Sequence, residues 1–460
     1  MDRRSSQRVV VVANRLPVHR AGSSGRWQSS AGGLVTALEP VVKAGNAAWV
    51  GWAGTAGTGL RPFTHEQMRI RPVSLSRDEV EKYYNGFSNR TLWPLFHDAI
   101  RSPEFRQEWW EPYVEVNRRF AAAAVAAARE GDLVWVHDYH LLLAPLMIRE
   151  ERPDLRIGFF LHIPFPPEEL FAWLPWRQAM LEGLLGADVV GFQTYAGAQN
   201  FSRAARAFTD AEGTDTLLEF GGREVRVGSF PISIDFDWFD KRAAMEETEQ
   251  EAAGFREKMG SERRLILSVD RLDYTKGIDN RLRAYEELLK RGRISVDDAV
   301  FMQIAVPSRE PVAEYAEMRT RIEQLVGRIN GEFGMPGRVA VHYFRRNFTR
   351  EDLVAYYRAA DVMFVTPLRD GMNLVAKEYV ATRTDLSGVL ILSEFAGAAR
   401  ELRRALLVNP RDQEGMISTL ETALTMDRQE ARHRMAVLRT VVRRHDVHEW
   451  AGTYLEALRG

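Results

Sequence analysis

Short apolar runs recur along the chain, each closed by a polar cluster and followed by apolar residues at helical spacing. Residues 9–13, 133–136, 157–161 and 187–192 read as buried strands of a first half. Residues 265–269, 300–305, 339–343, 362–365, 389–392 and 406–408 read the same way in a second half. Between them the spacing predicts helices over 107–129, 141–151, 168–185, 277–291, 312–330 and 350–359, and one beginning near Met372. Leu34, Ala37, Leu38, Val41 and Val42 also share one helical face. Residues 412–458 read as helical with arginine-rich, solvated faces. The region from Gly54 up to the run YYNGFSNRTLWP, 83–94, reads as irregular, and that run shows neither period. Strands alternating with helices predict an α/β protein built on parallel, doubly wound sheets.

In such sheets ligands gather at the C-terminal ends of strands. Here those ends carry polar residues: Arg15 after the first strand, then His137-Asp138, His162 and Gln193-Thr194. In the second half they carry Arg271 and Lys276, then Arg309, then Asp370-Gly371. Two cations closed by Gly277 at a helix start suit a diphosphate; salt bridges from them to Asp270 or Asp273 are the plainer alternative. The loop 15–33 ends in Gly32-Gly33 before a helix, which suits a phosphate. The stretch 360–379 runs strand, turn and helix, with Asp370 at the turn and Glu378 about two helical turns on. Asp235-Phe236-Asp237 matches the D-x-D of metal-dependent transferases, but it lies at a domain junction and reads as structural.

Length divides the chain: 460 residues exceed one core. The expected division is 1–234, 235–445, and a segment 446–460 packing back on the first domain. A net charge of −1 argues against nucleic-acid or membrane-surface partners. The absence of cysteine excludes disulfides, thiol chemistry and Cys-ligated zinc. The apolar run near the start is too short for a signal peptide, and no stretch approaches the ~20 apolar residues of a membrane span, so a cytoplasmic protein is expected.

ANRLP, SAGGL, GWAG, YYNGFSN with LWP, VHDYHLL, GFFLHIPFP, GFQT, DRLDYTKG, PSR, TPLRDGMNLVAKEY and SEFAGAA follow one another across nearly the whole chain. In that order they resemble the trehalose-6-phosphate synthases, retaining glycosyltransferases of the GT-B fold. The resemblance implies two Rossmann-like domains facing across a deep cleft, an N-terminal one for the acceptor and a C-terminal one for the nucleotide sugar. It implies transfer of glucose from a nucleoside diphosphate glucose to glucose 6-phosphate, giving α,α-trehalose 6-phosphate. UDP is the family default, with GDP or ADP open.

The resemblance also implies roles. Arg271 and Lys276 hold the donor diphosphate, and Glu378 the ribose. Asp370, with the backbone of Gly371, Met372, Asn373, Leu374 and Val375, holds the donor glucose. His162 lies beside that sugar, Gly32 and Gly33 approach it, and Phe348 lies near the base. Arg15, Tyr84, Trp93 and Arg309 grip the acceptor phosphate, while Asp138 orients the acceptor sugar near Trp52. Catalysis then rests on Asp138, His162, Arg271, Lys276 and Asp370, with no metal and no cofactor. The partners implied are the two small-molecule substrates and a second copy of the chain, as dimer or tetramer. Two other readings use the same scaffold: a pseudo-glycosyltransferase taking a cyclitol, and a non-catalytic sugar-phosphate sensor. Arg15, Asp138, His162 and Asp370 argue against the first, Arg271, Lys276 and Asp370 against the second.

Overall fold

Val9–Arg15, the first apolar run, is buried up to Arg15 because it lies in the middle of a sheet. It pairs in parallel with Ala48–Trp52 on one side and Leu133–His137 on the other. Beyond Ala48–Trp52 lies Met68–Val73; beyond Leu133–His137 lie Arg156–Phe160, Val189–Phe192 and Arg223–Ser229. Antiparallel strands finish both edges, Phe63–His65 at one and Leu217–Phe220 with Glu212–Gly213 at the other. The order reverses between Val9–Arg15 and Leu133–His137, so the loops after these two strands leave in opposite directions and open a crevice.

The structure is a computed structural model describing residues 7–20, 27–29, 35, 38, 47–57, 59–66, 68–308 and 313–460. It divides into two compact units, one of residues up to Ile232 with His448–Gly460, the other Ser233–Val447. The second unit holds an all-parallel sheet in the order Val341–Phe344, Ala299–Val306, Arg264–Arg271, Val362–Val365, Val389–Ser393, Leu406–Val408. Numbered along the chain this is 3-2-1-4-5-6, the Rossmann order. Its reversal lies between Arg264–Arg271 and Val362–Val365. The last helix, Val447–Arg459, lies on the first unit's sheet: Trp450 packs on Trp135 at 5.3 Å, and the Tyr454 hydroxyl donates to the Phe159 carbonyl at 2.9 Å.

Several elements differ from the pattern-based expectation. The run showing neither period is a π-helix, Val80–Leu92, continued by Trp93–Phe96. Its i→i+5 bonds, such as Trp93 N–H to the Ser88 carbonyl, give a period that neither helix nor strand spacing detects. The helix expected over 168–185 is two, Glu168–Phe171 and Arg177–Leu185, parted at Pro175, which has no N–H to give. The helix expected at Met372 begins at Leu374, because Asn373 takes φ +83° and caps it through Ala376 N. Residues 412–458 form three helices, Gln413–Thr425, Arg428–Arg444 and Val447–Arg459. Within 15–33, Val18–Arg20 and Trp27–Ser29 pair as an antiparallel ribbon. Asp235, the first acid of the D-x-D triplet, spends its carboxylate capping the helix Phe236–Ala243, accepting from Trp238 N at 3.0 Å.

Candidate active site

In the first unit the reversal of strand order brings Arg15 and Asp138 to the ends of adjacent strands. Arg15 is the exposed last residue of its strand, and its guanidinium lies over two rings, 4.2 Å from the Trp52 centroid and 5.2 Å from Tyr84. Trp52 meets Tyr84 edge-on at 5.6 Å, and its indole N–H is spent on the Thr55 carbonyl, so the ring is fixed. Tyr84 comes from the π-helix and stacks on His140 at 5.8 Å. Trp93, from the end of the same element, is buried and reaches this group through Tyr139 and His140. A cation held on aromatic faces suits an anion that must be gripped in one orientation.

Gly54, which pattern reading passes over, makes room for this arrangement. A Cβ there would stand 1.9 Å from an Arg15 guanidinium nitrogen, and its φ of +89° disfavours any other residue. The signal was the second glycine of GWAG.

Asp138 has φ 73° and ψ 165°, a region essentially reserved for glycine. Its N–H donates to the Phe160 carbonyl at 2.8 Å, its carbonyl accepts from Leu141 N at 3.1 Å, and Oδ1 accepts from His162 N at 3.2 Å. His162 follows the next strand, Arg156–Phe160, and is partly exposed. Its Nε2 lies 3.1 Å from Nδ1 of fully buried His137. Burial holds the His162 ring down to about 3, and burial with the neighbouring ring holds His137 well below the ordinary histidine value.

In the second unit the reversal brings together the loops after Arg264–Arg271 and Val362–Val365. Leu368 N–H donates to the Thr275 carbonyl at 2.7 Å and ties one loop to the other. Gly277 stands between them at φ +62°, where a Cβ would meet the Thr366 carbonyl at 2.5 Å. Across this seam Lys276 Nζ meets Asp370 Oδ2 at 2.6 Å, both side chains largely buried. Asn373 Nδ2 also donates to Asp370 Oδ2, at 3.2 Å. Lys276 thus takes Asp370 and neither Asp270 nor Asp273. Asp270 binds Arg281 at 2.5 Å, and Asp273 caps its own turn through Thr275. Burial raises the Asp270 carboxyl, against the opposing Arg281 charge.

Arg271 is exposed at the end of its strand. Gly371 and Met372 are buried in the turn, and Leu374 and Val375 open the helix, where first-turn N–H groups have no intrahelical acceptor. Glu378 accepts from the Tyr357 hydroxyl at 2.9 Å. Burial raises its carboxyl, while that hydrogen bond and Arg350 act in the other direction. Sequence gave no hint of Tyr357. Phe348 packs edge-on to Tyr356 at 5.2 Å beside the Arg346 guanidinium. Gly32, Gly33 and Arg309 lie outside the described residues.

Each unit thus offers one polar crevice at a strand-order reversal. One is a cation on aromatic faces beside a strained carboxylate and a neutral histidine. The other is a lysine–carboxylate pair beside the helix-start amides of Leu374 and Val375. Among the described residues no cluster of metal-ligating side chains accompanies either, and no helix is long and apolar enough to cross a membrane.

The model of glycosyltransferase family 20 matches residues 7–460. A trehalose-6-phosphate synthase of Mycolicibacterium gilvum is 54% identical over 98% of this chain and 93% of its own. A UDP-forming α,α-trehalose-phosphate synthase of Burkholderia xenovorans, solved with glucose 6-phosphate, superposes with a TM-score of 0.91 at 35% identity, covering 98% of this chain and 100% of its own. An E. coli counterpart bound with UDP-2-fluoro glucose gives 0.90 at 36%, covering 98% and 99%.

Proposed function

The chain belongs to glycosyltransferase family 20, and on that premise we propose how its two crevices divide the reaction. It is a retaining glycosyltransferase of the GT-B fold that moves glucose from a nucleoside diphosphate glucose to glucose 6-phosphate, giving α,α-trehalose 6-phosphate. The observation that carries the division is chemical. Arg15 on its aromatic faces suits a phosphate, and the Lys276–Asp370 pair with the helix-start amides suits a diphosphate joined to a polyol.

Arg15, Tyr84 and Trp93 of the first unit, with Arg309, hold the acceptor phosphate. Trp52 walls the sugar and Asp138 orients it. In the second, Lys276 and Arg271 hold the donor diphosphate. Asp370 and the backbone from Gly371 to Val375 hold the glucose, Glu378 the ribose, and Phe348 lies near the base. Gly32 and Gly33 approach the donor sugar, and His162 faces it. The leaving phosphate oxygen takes the acceptor hydroxyl's proton on the face from which it departs, so configuration is retained. No protein nucleophile is needed, and the protein supplies position and charge. No cofactor or metal enters this scheme.

The test is product analysis with glucose 6-phosphate and a panel of UDP-, GDP- and ADP-glucose in excess chelator. A non-reducing disaccharide phosphate is expected. No product from any donor would overturn the reading, and a strict metal requirement would overturn the metal-free scheme. The two solved relatives carry UDP in their names; the panel ranks the bases by kcat/KM.

A further inference from the structure

His137 and His162 form a closed pair whose protons can be counted. The two rings meet at 3.1 Å, Nδ1 of one to Nε2 of the other, so one hydrogen lies between them. His137 has no exposed surface and packs between Trp135, at 4.7 Å, and Phe160, at 6.5 Å. Its second nitrogen, Nε2, is sealed with no hydrogen-bond partner among the described residues. His162 is different: its ring is partly exposed, and its Nδ1 makes no bond among those residues.

The shared hydrogen has two possible owners. If His162 carries it on Nε2, His137 must carry its own proton on the sealed Nε2. If His137 carries it on Nδ1, the sealed Nε2 is a bare ring nitrogen. Orphaned buried N–H groups are the rarer defect in folded proteins. We propose that His137 is a positioning residue that donates from Nδ1 to His162 Nε2, and so forces His162 to keep its proton on Nδ1, as a hydrogen-bond donor on its open side. Burial keeps both rings neutral, so the donor polarity holds through the physiological range. The orientation is fixed twice, since the His162 backbone N–H is tied to Asp138 Oδ1. This rests on the reading that His162 faces the transferred sugar: a neutral donor there engages a sugar or phosphate oxygen without placing a cation beside an oxocarbenium-like centre.

The direct test is nitrogen-15 NMR of the unliganded protein carrying labelled histidine, using long-range couplings within the ten rings. His137→Asn and His162→Gln spectra assign the two. Both rings are expected neutral with the proton on Nδ1; a proton on Nε2 of either ring, or a charged ring at neutral pH, would overturn the proposal. The kinetic test compares His137→Asn, whose amide N–H replaces the donor, with His137→Leu, which fills the space without one. The Asn variant is expected to keep most of the turnover. The Leu variant is expected to lose about tenfold to a hundredfold in kcat, the scale carried by partners of functional side chains, with little change in the acceptor KM. Equal kcat in the two folded variants would overturn it. If the Leu variant does not fold, the NMR result decides. Failure of the unaltered protein to transfer glucose would remove the functional reading and leave the tautomer assignment standing.

Discussion

Asp138 separates stability from activity at one residue. Its φ of 73° and ψ of 165° lie where a Cβ is penalised, and such a backbone costs on the order of 1–3 kcal/mol. The strain is maintained by the tie from its N–H to Phe160 O and by the tie from Leu141 N to its carbonyl. Replacing Asp138 by alanine keeps the Cβ, and with it the strain, and removes the bond from His162 N. Replacing it by glycine removes the same bond and also the strain. The lost hydrogen bond, about 0.5–1.5 kcal/mol, is common to both and cancels in the comparison. What remains is the strain relief less glycine's extra unfolded-state entropy of about 0.4–1 kcal/mol.

Asp138→Gly is therefore expected to be more stable than Asp138→Ala by about 0.5–2 kcal/mol. For a unit of this size that is a few degrees in Tm, at about 2–4 °C per kcal/mol. Thermal unfolding followed by tryptophan fluorescence measures it, and kcat/KM for glucose 6-phosphate is recorded on the same samples. Both variants should be crippled in turnover, since neither keeps the carboxylate proposed to orient the acceptor. A glycine variant no more stable than the alanine variant would refute the strain argument. A glycine variant with full turnover would refute the role of the carboxylate.

The other expectations are shorter. Gly54→Ala drives a methyl into the Arg15 guanidinium and should raise the acceptor KM more than tenfold while sparing the donor KM, about the 1.4 kcal/mol of a displaced contact; an unchanged acceptor KM would count against the Arg15 site. Lys276→Ala removes the donor proposed for the leaving phosphate and takes the ammonium from Asp370, so kcat should fall on the order of a hundredfold, read in steady-state assays at saturating donor. Asp235→Ala should cost about 1 kcal/mol of stability through the lost cap and leave metal dependence unchanged, measured by chemical denaturation. The two buried histidines titrate in the unfolded chain near 6.5 and far lower when folded, so the unfolded state binds more protons between these values. Their contribution is complete above about pH 6.5 and is lost as pH falls below it, for His162 toward about 3, with a limiting slope near 1.4 kcal/mol per pH unit for each ring. Replacing His137 by asparagine should flatten that slope in urea titrations.

Val9–Arg15, Leu133–His137, Val189–Phe192, Arg264–Arg271, Ala299–Val306, Val362–Val365 and Val389–Ser393 were legible because burial on both faces makes each an apolar run, whereas Ala48–Trp52, Met68–Val73, Leu217–Phe220 and Arg223–Ser229 were not read as strands. With the legible strands came the polar residues that end them, and so Arg15, Asp138, His162, Arg271 and Asp370. What could not be read depends on contact between distant segments. Lys276 and Asp370 are 94 residues apart, and their pairing follows only once the second sheet takes the order that sets their strands side by side. Tyr357 meets Glu378 from a neighbouring helix, and nothing in its own window marks the hydroxyl as functional. The π-helix escaped for a different reason: its repeat is one that neither amphipathic template contains.

The two reversals of strand order explain why the legible residues are also the ones proposed to bind substrate. At each reversal the departing loops diverge, and the backbone there has neighbours on only one side. The first unit fills its crevice with rings that hold Arg15 and with a backbone strained at Asp138. The second fills its crevice by pairing Lys276 with Asp370. On the proposed division of the reaction, that pair bears on donor binding. A diphosphate must share the ammonium with a carboxylate already 2.6 Å away, which weakens binding of the bare nucleotide. A nucleotide sugar offers hydroxyls to the same carboxylate and recovers what is lost. The arrangement therefore favours the substrate over the nucleoside diphosphate product, and Asp370→Asn should bind the bare product more tightly than the parent in calorimetry while turning over more slowly. Weaker product binding in that variant would show instead that Asp370 organises Lys276 rather than competing for it.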